Sequence, residues 1–318
     1  MPELPEVETT ARGLRERVLG RKIVEVGSLD WPRMAPNATL DMLVSTGVGR
    51  VIESVTRRGK YVVVGLSGEA FLVYHRKMSG NLVLRTADLP TVLHTHLTVT
   101  FDDGWRLDFV DPRKFGRVYL FLGRDSLDAF LDERLGPEPL EIERKEFERL
   151  IGLRRGRLKA LLLDQTFLAG IGNLYADEIL WTARLHPERP VESLSTRERG
   201  RLHQTIQDVL EAAIARRGTS FSDYVDANGE PGTNQDHLQV YGRAGLPCSR
   251  PRCRRPIVRQ IVAQRGTWLC PTCQPPPSLA PRAEKVAGES VAPDAIVPHR
   301  VTPDLVAPDF FTPDDLTS

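Results

Sequence analysis

Residues 248–273 read CSRPRCRRPIVRQIVAQRGTWLCPTC and hold all four cysteines of the 318-residue chain, as Cys248, Cys253, Cys270 and Cys273. Two close pairs with sixteen residues between them can bring four thiolates to the corners of one tetrahedron, the arrangement of a structural zinc site. Two disulfides would instead need an oxidising compartment, and the first residues lack the apolar core of a secretory signal. One structural Zn2+ is therefore expected, with no coordination position left open for catalysis. The first pair, C-x4-C, is wider than the usual C-x2-C. From Tyr241 to Cys273 the chain carries seven arginines, Arg243, Arg250, Arg252, Arg254, Arg255, Arg259 and Arg265, and no Asp or Glu. A rigid hairpin of one sign reads as a phosphate-binding element, so the expected partner is a nucleic acid.

Upstream of this hairpin lie two segments of different period. Apolar residues Val7, Ala11, Leu14 and Val18 form a helical stripe that Gly20 can end. Short β-type runs follow: RVIESV, YVVVGL, AFLVYH, NLVLR, HLTVTF, WRLDFV and RVYLFL. Asp103-Gly104 reads as a two-residue hairpin, and the spacing predicts a β-sandwich or barrel up to about Gly123. From SLDAFLDERLG to RLHQTIQDVLEAAIARRG the period changes to three and four, which predicts a second domain of about four helices over 130–225. The loops GPEPL, LAGIGN and HPERP separate them.

Composition bounds the class. With 41% hydrophobic and 27% charged residues the chain is globular and long enough for two cores. It has no apolar run long enough to cross a membrane, and a cytoplasmic location is expected. Net charge is +1, but residues 275–318 hold three Lys or Arg against seven Asp or Glu, which leaves the body at +5. In that tail Pro293, Pro298, Pro303, Pro308 and Pro313 recur every five residues. Such a segment can neither propagate a helix nor fold alone, so disorder is expected, with APDFFTPDDL as a candidate docking peptide for a protein partner.

The opening MPELPEVETT carries two Pro-Glu pairs. Helix grammar explains Pro5, Glu6 and Glu8, because a first-turn proline loses no hydrogen bond and acids complement the helix dipole. It does not explain Pro2 and Glu3. Together with PELPEVE, the motifs RRGKY, HRKMSG, DPRKFG, GIGNLYADE, LQVYGR and QRGTWLCPTCQ stand in an order that resembles the formamidopyrimidine-DNA glycosylase family of base-excision repair enzymes.

The resemblance runs over about residues 1–274 and implies an α+β multidomain fold. It consists of an N-terminal helix with a β-sandwich (1–125), a helix-two-turn-helix domain (130–225) and a zinc hairpin (238–274); the tail expected to be disordered (275–318) lies outside the family pattern. It implies a monomer acting on damaged double-stranded DNA and associated with the nucleoid. Loss of the initiator Met would make Pro2 a secondary-amine nucleophile; an α-amino group has a pKa of about 7.7–8, so part of it is unprotonated at neutral pH. Glu3 is implied as general acid, Lys60 as proton donor and phosphate contact, and Arg265 as the grip on the phosphate of the flipped nucleotide. Met78, Arg113 and Phe115 match a wedge that fills the gap left by an extruded base, and His94, Arg155, Lys159 and Asn173 match DNA contacts. His75 and His96 read as structural. PELPEV and RRGTSFSDYVDANGEPG, similar to a loop that closes over 8-oxoguanine, imply oxidised purines as substrates. The alternatives are an endonuclease VIII-like enzyme for oxidised pyrimidines and a non-catalytic zinc DNA-binding protein. Arg76-Lys77 replaces small or apolar residues of the family pattern and is expected to bear on DNA contacts.

Overall fold

The computed structural model describes residues 2–221 and 224–277. Of the tail expected over 275–318, residues 278–318 lie outside the described residues. Helix α1, Leu4–Val18, starts as the opening predicts: Pro5 lies in its first turn and the Glu3 N–H donates to Glu6 Oε2 (2.8 Å). It ends at Leu19-Gly20, where Gly20 takes φ +79°. Its stripe of Val7, Ala11, Leu14 and Val18 enters the sandwich core, while Leu4 belongs to the core of the helical part. One helix thus pins the chain start between two cores.

The sandwich comprises strands β1 (Ile23–Gly27), β2 (Ile52–Arg58), β3 (Tyr61–Leu66), β4 (Ala70–His75), β5 (Asn81–Thr86), β6 (Thr95–Phe101), β7 (Trp105–Val110) and β8 (Arg117–Leu122). They form antiparallel sheets of order β1-β6-β7-β5 and β2-β3-β4-β8. The run YVVVGL does not alternate because β3 is buried on both faces. One face meets the sandwich core, and the other lies under helix α3 (Arg124–Asp132), whose Leu127 and Leu131 join Tyr61, Val63, Phe71 and Val73. Helix α3, which sequence period groups with the helical domain, therefore packs on the sheet. Strand β1 and helix α2 (Leu40–Gly47, capped by Thr39) were not anticipated; both are too short to establish a period. The Asp103-Gly104 hairpin is a three-residue connection instead. The Gly104 N–H bonds Phe101 O (3.2 Å), and only Gly104 takes positive φ (+81°), a type I turn closed by a left-handed residue.

The helical part holds α4 (Arg144–Gly152), α5 (Leu158–Leu163), α6 (Asn173–Thr182) and α7 (Thr196–Ala215, with a Ser195/Glu198 capping box). Helix α6 is a core helix, with eight of its ten residues buried. Strands β9 (Val258–Val262) and β10 (Arg265–Leu269) form the Arg-rich hairpin. Its two-residue tip, Ala263-Gln264, takes φ of +48° and +59°, the mirror-type turn suited to a tight hairpin and one usually left to Asn or Gly. Among the described residues, no helix is long and apolar enough to cross a membrane.

Candidate active site

The loop LAGIGN exists to receive the chain start. Gly170 takes φ +93° and its carbonyl accepts the Leu4 N–H (3.0 Å). A Cβ on Gly172 would lie 2.4 Å from Glu3 Cδ, so only glycine lets the carboxylate approach. Pro2 and Glu3 are both buried. Glu3 accepts the N–H groups of Gly172 (2.7 Å), Leu174 (2.9 Å) and Tyr175 (3.3 Å). The N-terminus of α6 has no cap from its own Gly172, and Glu3 supplies it from 170 residues away in sequence.

Glu6 is more than a dipole partner. Its buried carboxylate accepts from Glu3 N, Tyr175 Oη (2.6 Å) and Thr219 N (2.7 Å), and burial pushes its pKa up to about 7. It joins the chain start, α6 and the loop after α7.

Lys60 stands at the β2–β3 turn. Glu138 of GPEPL shapes that turn by accepting Gly59 N (2.6 Å) and pairing with Arg57 and Arg58. The Lys60 Nζ donates to Ile171 O (3.1 Å) beside the Glu3 cradle. Burial lowers its pKa, Glu3 and Glu6 oppose that, and Arg265 adds to it. Lys60, Glu3 and the hairpin's Arg265 therefore share one electrostatic neighbourhood around residues 170–174.

Lys159 points into the protein. It is fully buried, pairs with Asp177 Oδ1 (2.7 Å), and donates to Thr267 Oγ1 (2.6 Å) and Gly266 O (3.2 Å). Its ammonium is spent on seating the hairpin beside Arg265, which leaves no exposed surface on it for the DNA contact that the resemblance implies. Asp177 also accepts Trp268 N (3.0 Å), and burial raises its carboxyl. Asn173 Nδ2 holds Gly266 O (2.9 Å). Arg155 is exposed.

The wedge candidates sit on one surface. Met78 is 42% exposed and Phe115 37%, and the Arg113 guanidinium lies 5.1 Å from the Phe115 ring. Buried Asp111 organises them: it accepts Arg113 N (3.2 Å), Gly116 N (2.6 Å) and the Ser79 hydroxyl. The His96 ring lies between Asp30 Oδ1 (2.7 Å) and Asp111 O (3.0 Å). His94 is exposed at φ +68°. Arg76 is 1% exposed and bonded inside the protein, so the departure from the family pattern at this position contributes no DNA contact.

The four thiols meet at one point. Cys248 and Cys273 sulfurs are 3.9 Å apart, Cys253 and Cys270 3.5 Å, and all four lie within 4.8 Å of one another. Tetrahedral zinc with Zn–S near 2.3 Å puts its sulfurs about 3.8 Å apart. The donor set and spacing fit one structural Zn2+.

Three family profiles match in chain order. They are described as the formamidopyrimidine-DNA glycosylase N-terminal domain (residues 1–118), its H2TH domain (135–225), and the zinc finger found in FPG and IleRS (245–276). A formamidopyrimidine-DNA glycosylase of Chloroflexus aurantiacus is 46% identical over 276 residues, 86% of this chain and 98% of the relative. The chain belongs to the formamidopyrimidine-DNA glycosylase family. It is a base-excision repair enzyme of the glycosylase and AP lyase class, with one structural zinc site. Similar solved structures include wild-type Lactococcus lactis Fpg with N7-benzyl-Fapy-dG containing DNA (38% identity, TM-score 0.79, 86% of this chain, all of that one). Another is the Lactococcus lactis Fpg with abasic-site DNA (37%, TM-score 0.79, the same coverage).

Within this family frame, sequence reasoning left several residues unassigned. Glu138, Asp111, Asp177 and Glu178 are buried acids, and Glu178 accepts the N–H groups of Gln239, Val240 and Tyr241 in LQVYGR. The usable signal was adjacent acids, ADE, inside an otherwise apolar helix, where a charge must have a partner.

Proposed function

We propose that this enzyme excises oxidised purines, formamidopyrimidines and 8-oxoguanine, from duplex DNA through a covalent Pro2 intermediate and then cuts the strand. With the initiator Met removed, the Pro2 nitrogen attacks C1′ as the damaged base leaves. Glu3 delivers a proton to the sugar oxygen, so the ring opens to an iminium ion. That cation acidifies C2′; loss of the C2′ proton expels the 3′ phosphate, and a second elimination expels the 5′ phosphate. Lys60 handles protons in these eliminations, and Arg265 grips the phosphate as a planar fork that stays charged. Met78, Arg113 and Phe115 fill the stack, while His94, Arg155 and Asn173 meet the backbone. Bound zinc supplies only rigidity to the hairpin that carries Arg265. The enzyme acts as a monomer.

The observation that carries this reading is the convergence of buried Pro2-Glu3, the Lys60 ammonium and the Arg265 hairpin on the loop at residues 170–174. Borohydride added during reaction with an 8-oxoguanine:cytosine duplex should trap a protein–DNA adduct that maps to Pro2 and is absent from Pro2→Gly. Zinc-loaded protein that cuts the duplex without a trappable adduct would refute the covalent route. Faster cutting of a thymine-glycol duplex under the same conditions would move the substrate to the pyrimidine class.

A further inference from the structure

Arg76 is among the most deeply buried large side chains of the described residues; Glu6 and Asp226 favour its charge through space, but it forms no direct ion pair there. Such a charge is costly to bury, and an apolar residue of similar volume would avoid that cost. Each of its three nitrogens nevertheless donates a hydrogen bond. Nε donates to Gly80 O (2.6 Å), Nη1 to Thr10 Oγ1 of α1 (2.7 Å), and Nη2 to Asn81 Oδ1 and to Val225 O (3.2 Å). The guanidinium also lies 4.8 Å from the Tyr224 ring centroid.

These acceptors belong to two parts of the site that are far apart in sequence. Residues 76–80 form the tight turn that presents Met78: Gly80 N bonds Arg76 O (3.0 Å), and a Cβ on Gly80 would meet that oxygen at 2.7 Å. Tyr224-Val225 begins the far half of the segment similar to the lesion-covering loop. Beyond Arg76 that half is seated by Asn81 Oδ1 accepting Val225 N (3.3 Å) and by Ala227 O accepting Leu84 N (2.9 Å). One guanidinium thus ties the turn that carries Met78 to the segment similar to the lesion-covering loop.

We infer that Arg76 is a positioning residue that couples insertion of Met78 to the seating of the 224–227 segment, so that removal of an intact damaged base depends on it and cleavage at a ready-made abasic site does not. The inference rests on the proposed function. It goes beyond that reading because Arg76 forms no hydrogen bond to Pro2, Glu3, Lys60 or Arg265, the groups assigned to the lyase step.

The test compares wild type with Arg76→Met in single-turnover reactions on two duplexes, one with 8-oxoguanine opposite cytosine and one with a preformed abasic site. Base excision should fall about tenfold or more while abasic-site cleavage stays within about twofold, the size of loss expected when a reacting group is misplaced by a fraction of an ångström. Stopped-flow fluorescence of 2-aminopurine beside the lesion should slow in step with excision, and Arg76→Lys should recover part of the loss. Tyr224→Leu removes the stacking contact from the loop side and should give the same split; it carries the test if Arg76→Met does not fold. Equal losses on both duplexes, or none on either, would overturn the coupling. A wild-type enzyme that cuts abasic DNA yet leaves 8-oxoguanine intact would instead refute the proposed substrate.

Discussion

Single residues decide the geometry of the centre. The space at Gly172 is taken by Glu3, so Gly172→Ala must displace the carboxylate from its three N–H donors. Steady-state assays should show a loss on the order of a hundredfold or more in lyase rate from such a misplacement, with DNA affinity nearly kept. His75 gives a pH signature. Burial, reinforced by Lys77 and Lys60, pushes its pKa down to about 3, and its Nδ1 accepts the Lys77 N–H (3.0 Å). The unfolded chain binds this proton near pH 6.5 and the folded one rejects it, so the contribution to stability is complete above 6.5 and drains away as pH falls towards 3. At pH 5 the loss is about 2 kcal/mol. Denaturant titrations at pH 5 and 7 should show that His75→Gln loses less stability on acidification than wild type. From sequence, the cysteines could be singled out because four thiols at that spacing have few other uses, whereas Pro2 and Glu3 took their roles from the resemblance of the surrounding motifs to the family. Glu6 and Asp111 were not assigned these roles, because an acid that organises backbone N–H groups looks like any surface acid until its burial is known.

At the level of elements, α6 is the beam on which the site is mounted. Glu3 caps one end. At the other, Arg250 of the widened cysteine pair donates to Trp181 O (2.6 Å) and Thr182 O (3.0 Å) and stacks 4.2 Å from the Trp181 ring. Arg250, inside the widened C-x4-C pair, thus supplies a C-terminal cap for the helix. In the middle, the buried Lys159–Asp177 pair fastens the hairpin. Removing one partner strands the other charge, so Lys159→Met should cost about 3–5 kcal/mol in urea unfolding, and Lys159→Met with Asp177→Leu should recover much of it. The strands of the sandwich were legible because their apolar runs have clear limits. Helix α3 was misassigned because period reports that a helix has a buried face and not which sheet or helix covers it.

Across the whole molecule, α1 contributes side chains to both the sandwich core and the core of the helical part. Leu4→Ala removes the apolar side chain that α1 places in the helical core, with an expected cost of about 3 kcal/mol by thermal or denaturant unfolding. Activity should fall by more than the folded fraction does, because residues 2 and 3 lose their register against Gly170 and Gly172. Chelation of zinc should abolish duplex binding while far-UV circular dichroism keeps most of its amplitude, since β9 and β10 form a separate small sheet. Residues 2–7 are all buried, which bears on how the protein can be handled. On the proposed covalent route, a purification handle or surface-immobilisation linker fused ahead of Pro2 would tie up its nitrogen and crowd the buried chain start. Such attachments belong at the opposite terminus.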